Sequence, residues 1–274
     1  MYLEYCPYGD LSDLLAHHQN INRPIPEALI WHVFESLVNV GLLMERRIDT
    51  KADGGWTEVV HRDFKPQNAF LGNHPQPVTG HGNFAAYPTI KLGDFGLAVE
   101  TSPTDARNPG ALVDSGTPRY YAPEQVDQRG NPRLLTDKTN VYGVGITVMS
   151  LMDRVNEIGV QDDWANAHAS VVPHLNVQAA RDYSPELVAL VSDCVEYNQN
   201  HRPTFSNLRA SILRYTRGEG GLPQEDRARG MRASTVPEMG NIGLRADSYA
   251  LHGPIDQIAF PVPPPLTPLD FDSD

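Results

Sequence analysis

An aspartate, a lysine two residues on and an asparagine five residues on stand within one short stretch, His61 to Asn68, reading HRDFKPQN. Held in one loop, these side chains match what phosphoryl transfer from a metal nucleotide demands. Asp63 can orient a hydroxyl nucleophile and accept its proton, and Lys65 can neutralise charge on the phosphoryl group. Asn68 can offer its amide oxygen to a magnesium ion. A second carboxylate follows at Asp94, in KLGDFGLA, suited to holding the magnesium that bridges nucleotide phosphates. A third string, GTPRYYAPE, runs from Gly116 to Glu124. Each string alone would be weak, because three-residue matches recur by chance; all three in order, with both metal ligands, form a specific signal.

In this order the motifs resemble the eukaryotic protein kinase family. EYCPYGDL, NAFLG and GTPRYYAPE are most similar to serine/threonine kinases of the NIMA-related branch. The resemblance implies a mainly α fold with short β-strands, the helical C-lobe of a kinase, using ATP and Mg2+ to transfer the γ-phosphoryl group to Ser or Thr hydroxyls of protein substrates. Asp63 and Lys65 would be its catalytic residues, with Asn68 and Asp94 as its metal ligands. In the opening MYLEYCPYGD, Leu3 would be the gatekeeper, the backbone of Glu4 and Cys6 would meet the adenine edge, and Asp10 would face the ribose. Read from the residues alone, Tyr2 to Cys6 is an edge strand and Asp10 a helix N-cap. Phe70 would floor the adenine site or, more simply, be a buried strand residue. His61 would pack under Phe95 as a structural histidine.

Thr117 resembles the residue that bridges the catalytic Asp and Lys in serine/threonine kinases. Glu124 and Arg202, the latter in NHRPTF, match a buried structural salt bridge of the family. Asn140 stands where the family has an Asp that accepts hydrogen bonds from the catalytic loop. An uncharged amide should hold those bonds more weakly, by about 1 kcal/mol. Thr101, Ser102, Thr104 and Ser115 are possible phosphate acceptors, for which Arg62 is the natural partner.

Helical periodicity supplies the elements that must position these groups. Leu11, Leu14 and Leu15 make a short amphipathic helix after Asp10; Pro26 opens a longer one carrying Leu29, Ile30, Val33, Phe34, Leu37, Val38, Gly41 and Leu42. Thr136 to Met152 is apolar nearly all round, as a central buried helix should be. Its Gly143 and Gly145 read as close helix packing. Ser184-Pro185-Glu186 is a cap and first turn for a helix with Leu187, Val188, Leu190, Val191 and Cys194, and a Ser-Pro phosphosite is the rival reading of Ser184. Thr204 to Tyr215 closes the lobe. Short strands are expected at Val59-Val60 and at Thr89 to Leu92. Gly- and polar-rich insertions at Asp49 to Glu58 and Gly72 to Pro88 read as loops, leaving His74 and His81 solvated.

Composition bounds the partners. A net charge of -12 over 274 residues argues against nucleic acid or anionic membrane. Cys6 and Cys194 form no disulfide framework, which suits an intracellular compartment, cytoplasmic or nuclear. The run Val141 to Met152 is too short to span a bilayer.

Two domains are expected. Residues 1–217 form the kinase-like hinge and C-lobe, without the N-terminal β-lobe, because the family's glycine-rich loop, strand lysine and helix glutamate precede the hinge. All four lysines lie downstream of it. Residues 218–274, with nine acidic and four basic residues, form a disordered tail whose PVPPPLTPL favours polyproline II and is a possible partner-docking segment, with Thr267-Pro268 a possible phosphosite. Three functions follow: part of a longer active kinase, a catalytically inactive interaction module, or a low-activity kinase completed by another chain.

Overall fold

Two antiparallel ribbons set against a helical core decide where every site residue falls. The computed structural model of the chain describes residues 4–45, 58–72, 87–102, 104–126, 133–156 and 172–217. Leu3, His74, His81, nearly all of both inserted loops and the tail 218–274 with its Pro-rich string lie outside these residues.

Helix α1 spans Leu11–Asn20, and Asp10 is its N-cap: Oδ1 accepts from the backbone N–H of Ser12 and Asp13, while the Asp13 side chain accepts from the Asp10 N–H. Helix α2, Glu27–Glu45, follows Pro26, whose carbonyl receives the Leu29 and Ile30 N–H groups. Leu29, Ile30, Val33, Phe34, Leu37 and Val38 are all sealed from solvent. Burial of one such side chain is worth about 1.5–3 kcal/mol, so this stripe is a major source of stability. By length and composition α2 could cross a membrane, but its apolar face is spent on the protein's own core.

After the short helix α3, Pro123–Val126, comes α4, Asp137–Asp153, capped by Thr136 with a reciprocal bond to Thr139. Every residue of α4 from Thr139 to Met152 is buried, as its all-round apolarity predicts. Its hydroxyls stay satisfied: Thr147 donates to the Gly143 carbonyl and Ser150 to that of Thr147. The single turn α5, Ala179–Asp182, precedes α6, Pro185–Cys194, and the lobe closes with α7, Phe205–Arg217. Ser184 is the N-cap of α6, accepting from the Leu187 N–H, and it also donates to Glu27 of α2. Helix α2 packs on α4 and α7, and α4 on α6. At Gly145 an added Cβ would lie 2.4 Å from the Cβ of Cys194, and at Gly143 2.6 Å from that of Phe64. The two glycines are the contact points of α4 with its neighbours.

Strands β1 (Glu58–Val60) and β4 (Val99–Thr101) pair antiparallel, as do β2 (Ala69–Leu71) and β3 (Ile90–Leu92). Residues 61–68 join β1 to β2, and residues 93–98 join β3 to β4. Because the first strand of one unit pairs with the last of the other, both connections are clasped at both ends and face each other. The edge strand expected over Tyr2 to Cys6 does not form in its described part. Glu4 to Cys6 are irregular, since no described strand lies beside them; sheet-like pairing begins at the Asp10–Phe70 bridge, with Leu71 donating to the Gly9 carbonyl.

Candidate active site

The loop leaving β1 is shaped by one positive-φ residue, Arg62 (φ 66°), and the loop leaving β3 by another, Asp94 (φ 56°). Such conformations cost energy in non-glycine residues and persist where the surroundings enforce them. Around Asp63 the enforcement is polar and dense. The Asn68 amide donates to the Asp63 carbonyl (2.8 Å) and to Oδ2 (3.0 Å), the Thr117 hydroxyl donates to Oδ1 (2.7 Å), and Lys65 Nζ lies 3.0 Å from Oδ2. Lys65 also donates to Thr117 Oγ1 at 2.7 Å, closing a ring of Asp63, Lys65 and Thr117. Burial pushes the Asp63 carboxyl up, but the hydrogen bonds from Thr117, Lys65 and Asn68 and the lysine charge outweigh it and hold the group below the usual carboxylate range. Asp63 is therefore ionised, fixed in rotamer and 5% exposed.

Asp94 is joined to this cluster through the backbone: the Gly93 N–H donates to the Asn68 carbonyl (2.9 Å). The Asp94 side chain is exposed and, among the described residues, accepts a long 3.4 Å bond from the Gly96 N–H. With its Nδ2 occupied by Asp63, Asn68 leaves its amide oxygen as the coordinating atom. A carboxylate and an amide oxygen are the hard donors magnesium prefers, and magnesium commonly takes its remaining ligands from phosphates and water. The residues fit the ion. Among the described residues no group of three or more His, Cys, Asp or Glu offers an all-protein cage for a metal.

His61 lies beneath both loops, its ring 4.7 Å from that of Phe95 in an edge-on contact. Its Nδ1 accepts from the Asp63 N–H, so Nε2 carries the proton donated to the Gly93 carbonyl (3.1 Å). Burial lowers its pKa, which keeps the ring neutral. This structural placement is the one expected from sequence.

The residues expected on the nucleotide side lie at the β2–β3 ribbon. Glu4 pairs with Lys91 at 2.8 Å, and Lys91 is the register partner of Phe70. The Phe70 ring lies over Gly93, where a Cβ would come within 2.8 Å. Asp10 bridges to Phe70 while capping α1, as its N-cap reading expects. Cys6 is half-buried next to this group, and burial with the Glu4 charge raises its thiol pKa.

Two expectations change. Arg62 is not held open for a phosphate: Nε donates to the Leu97 carbonyl (2.6 Å) and Nη1 to that of Leu112 (2.9 Å), pinning the segment at two points 15 residues apart. Thr101 is 1% exposed and its hydroxyl receives the Asn108 amide (3.1 Å), so it is a buried structural group rather than an accessible acceptor. Asn140 accepts from the loop as an amide can, and it adds a second bond. Its Oδ1 accepts from the His61 N–H (2.9 Å), and its Nδ2 donates to the Val59 carbonyl (2.7 Å), a bond no carboxylate could make. Glu124 and Arg202 form the expected buried pair at 2.6 and 2.9 Å, with Arg202 also donating to the carbonyls of Lys138 and Glu196. Asn108 and Gln125, which stitch the segment together, carried no signal in the sequence, because an amide's partners depend on tertiary contacts alone.

A family model described as the protein kinase domain matches residues 1–212. Among curated relatives, the G2-specific protein kinase nim-1 of Neurospora crassa is 27% identical over 240 residues, covering 80% of this chain and 25% of that protein. The G2-specific protein kinase nimA of Emericella nidulans is 26% identical, covering 83% and 32%. The human serine/threonine-protein kinase Nek2 is 30% identical over 149 residues, covering 54% and 28%. The chain thus spans between a quarter and a third of the length of these relatives. With a matching domain model over more than three quarters of its length and the clasped loops of that domain in place, the chain belongs to the protein kinase domain family.

Proposed function

We propose that this domain transfers the γ-phosphoryl group of ATP to Ser or Thr hydroxyls of proteins. The observation that carries the reading is the ring of Asp63, Lys65 and Thr117, fixed from beneath by Asn68. In the step, the substrate hydroxyl oxygen bonds to the γ-phosphorus as the bond to the ADP oxygen breaks, and the hydroxyl proton passes to Asp63. A carboxylate held ionised in a fixed rotamer is ready to accept it. Lys65 places its charge where the phosphoryl oxygens gather negative charge. Asn68 and Asp94 would hold magnesium, which neutralises the phosphates when bound. Glu4, Cys6, Asp10 and Phe70 would line the nucleotide's base and ribose. Ser and Thr are favoured over Tyr because Thr117 and Lys65 match the serine/threonine pattern. An intracellular setting agrees with the two free cysteines.

A non-catalytic interaction module is the second reading, favoured by Phe95 and Leu97, which are 47% and 38% exposed beside Asp94 and present an apolar face for other polypeptide to cover. Thermal unfolding with and without magnesium ATP near millimolar separates the two. The catalytic reading expects a raised midpoint that Asp94→Ala abolishes, followed by phosphate transfer to Ser/Thr peptides in preference to Tyr peptides. A folded sample with no shift would leave the module reading standing.

A further inference from the structure

We infer that Gln125 is a positioning residue for the phosphotransfer site, an amide clamp that sets the distance between the loop carrying Asp63 and the segment carrying Thr117. The inference deepens the kinase reading and rests on it for its functional consequence.

Gln125 directly follows the salt-bridged Glu124 and is 3% exposed. All of its hydrogen-bonding groups are engaged, and they reach two different parts of the chain. Nε2 donates to the Arg62 carbonyl (3.0 Å) and to the Ser115 carbonyl (3.1 Å). Oε1 accepts from the Ala122 N–H (2.9 Å), and the Gln125 backbone carbonyl accepts from the Asp114 N–H (2.9 Å). Arg62 immediately precedes Asp63, and Ser115 lies two residues before Thr117. One amide nitrogen therefore holds the carbonyls just upstream of both partners of the 2.7 Å Thr117–Asp63 bond.

The surrounding backbone is arranged for that joint. The positive φ of Arg62 turns its carbonyl toward the segment, and Gly116, at φ +130°, packs so closely there that a Cβ would sit 2.3 Å from the Arg62 oxygen. The Tyr121 hydroxyl donates to the Gly116 carbonyl (3.1 Å), closing the turn from the other side. Two partly buried carbonyls facing each other favour a donor between them, and among side chains of this size only glutamine brings two N–H groups and an acceptor on one planar head. Glutamate would set a carboxylate against both carbonyls, and methionine would keep the volume while leaving both without this donor. Because Gln125 itself touches no reacting atom, its effect must pass through the placement of Thr117 and Asp63.

The test compares the wild-type chain with Gln125→Met and, as an independent disturbance of the same joint, Gly116→Ala. Amide hydrogen exchange followed by mass spectrometry reads peptides covering 61–68, 112–121 and, as an internal reference for general destabilisation, 137–153. The expected result is exchange at least tenfold faster over 61–68 and 112–121 with the reference unchanged, and a kcat lower by about ten- to a hundredfold with KM for magnesium ATP unaltered. Uniform acceleration in all three peptides, or unchanged exchange in a folded Gln125→Met, would overturn the inference. Should the wild type show no phosphotransfer, the kinase reading fails separately, and the exchange pattern still decides the clamp. Should neither variant fold, the wild type decides it alone: the two Nε2 protons, read by NMR on glutamine-labelled protein, are expected to exchange slowly, and rapid exchange would sink the proposal.

Discussion

At the scale of single residues, the most instructive side chain is Asn140. An Asp at this place would accept from the His61 N–H; the amide does so too and adds a bond to Val59. The catalytic loop is thereby tied to helix α4 through both backbone groups that flank its entry. Asn140→Asp should consequently destabilise the fold by about 1–3 kcal/mol, because the Val59 carbonyl would face a carboxylate in place of its donor. Chemical unfolding reads this as a lower urea midpoint with an unchanged slope, and an unaltered midpoint would show that the second bond contributes nothing. Asp63 is the complementary case, a residue whose surroundings hold it as the proposed base of the reaction. In Asp63→Asn the ring of bonds loses its charge and its proton acceptor. Phosphotransfer should drop by roughly 10²–10⁴, the usual worth of a positioned base, while the magnesium ATP shift in unfolding temperature persists. Loss of that shift as well would mean that Asp63 serves binding before chemistry.

At the scale of elements, what the sequence discloses depends on whether a pattern is periodic. The stripe from Leu29 to Val38 and the all-round apolarity of Val141 to Met152 are visible in the sequence, and both became core helices because burial follows directly from period and composition. The caps Asp10 and Ser184 were legible for the same local reason: a side chain that bonds two or three residues ahead needs no tertiary knowledge. The motif residues Asp63, Lys65, Asn68 and Asp94 stand out by spacing. What holds them does not. Arg62 reaches Leu97 and Leu112, and Gln125 reaches Arg62 and Ser115, across separations that no local rule spans. The edge strand expected over Tyr2 to Cys6 does not form in its described part, Glu4 to Cys6, on the same ground, since a strand is defined by its partner.

Gly145 tests the packing side of this argument. Its missing side chain lets α6 approach α4, and the atom an alanine would meet is the Cβ of Cys194, which has no rotamer by which to withdraw. Gly145→Ala should destabilise by about 1–3 kcal/mol through overpacking, against a helix-propensity gain of roughly 1 kcal/mol that partly offsets it. Gly110, where an added Cβ meets nothing within 4 Å, is the control, and Gly110→Ala should change stability by no more than about 1 kcal/mol in either direction. Equal midpoints for the two variants in thermal unfolding would remove Gly145 from the account of how the helices meet.

At the scale of the whole molecule, Glu124, His32 and His61 set one sign on the response to acid, against the partly buried Glu58 and Asp153, whose carboxyls burial raises and which act with the opposite sign. Burial raises the Glu124 carboxyl, but the Arg202 charge and its two hydrogen bonds prevail and hold it below the ordinary value of 4.5. His32, which donates from Nε2 to the Pro88 carbonyl at 2.8 Å, is pushed by burial from 6.5 to about 4, and His61 moves the same way. Glu124, His32 and His61 each have a folded pKa below the unfolded one, so each contributes stability that is full above the unfolded value and is lost as pH falls through the folded one. The histidines act first, as the unfolded chain begins to take up protons near pH 6.5 that the folded chain refuses; Glu124 acts later, below 4.5. Lowering the pH also relieves the repulsion of a chain of net charge -12, an opposing effect spread over the surface and weakened by salt. Urea midpoints measured from pH 8 to pH 4 at 0.15 M salt should therefore fall in two stages. His32→Gln, which keeps a donor for Pro88 but cannot be protonated, should flatten the first stage without altering the second. Glu124→Gln should be less stable by about 3–5 kcal/mol near neutral pH, because the Arg202 charge is left buried without its counter-ion, and its midpoint should decline less than that of the wild type below pH 4.5. A midpoint that rises steadily from pH 8 to pH 4 would mean that surface repulsion, and not these buried groups, governs the stability of the domain.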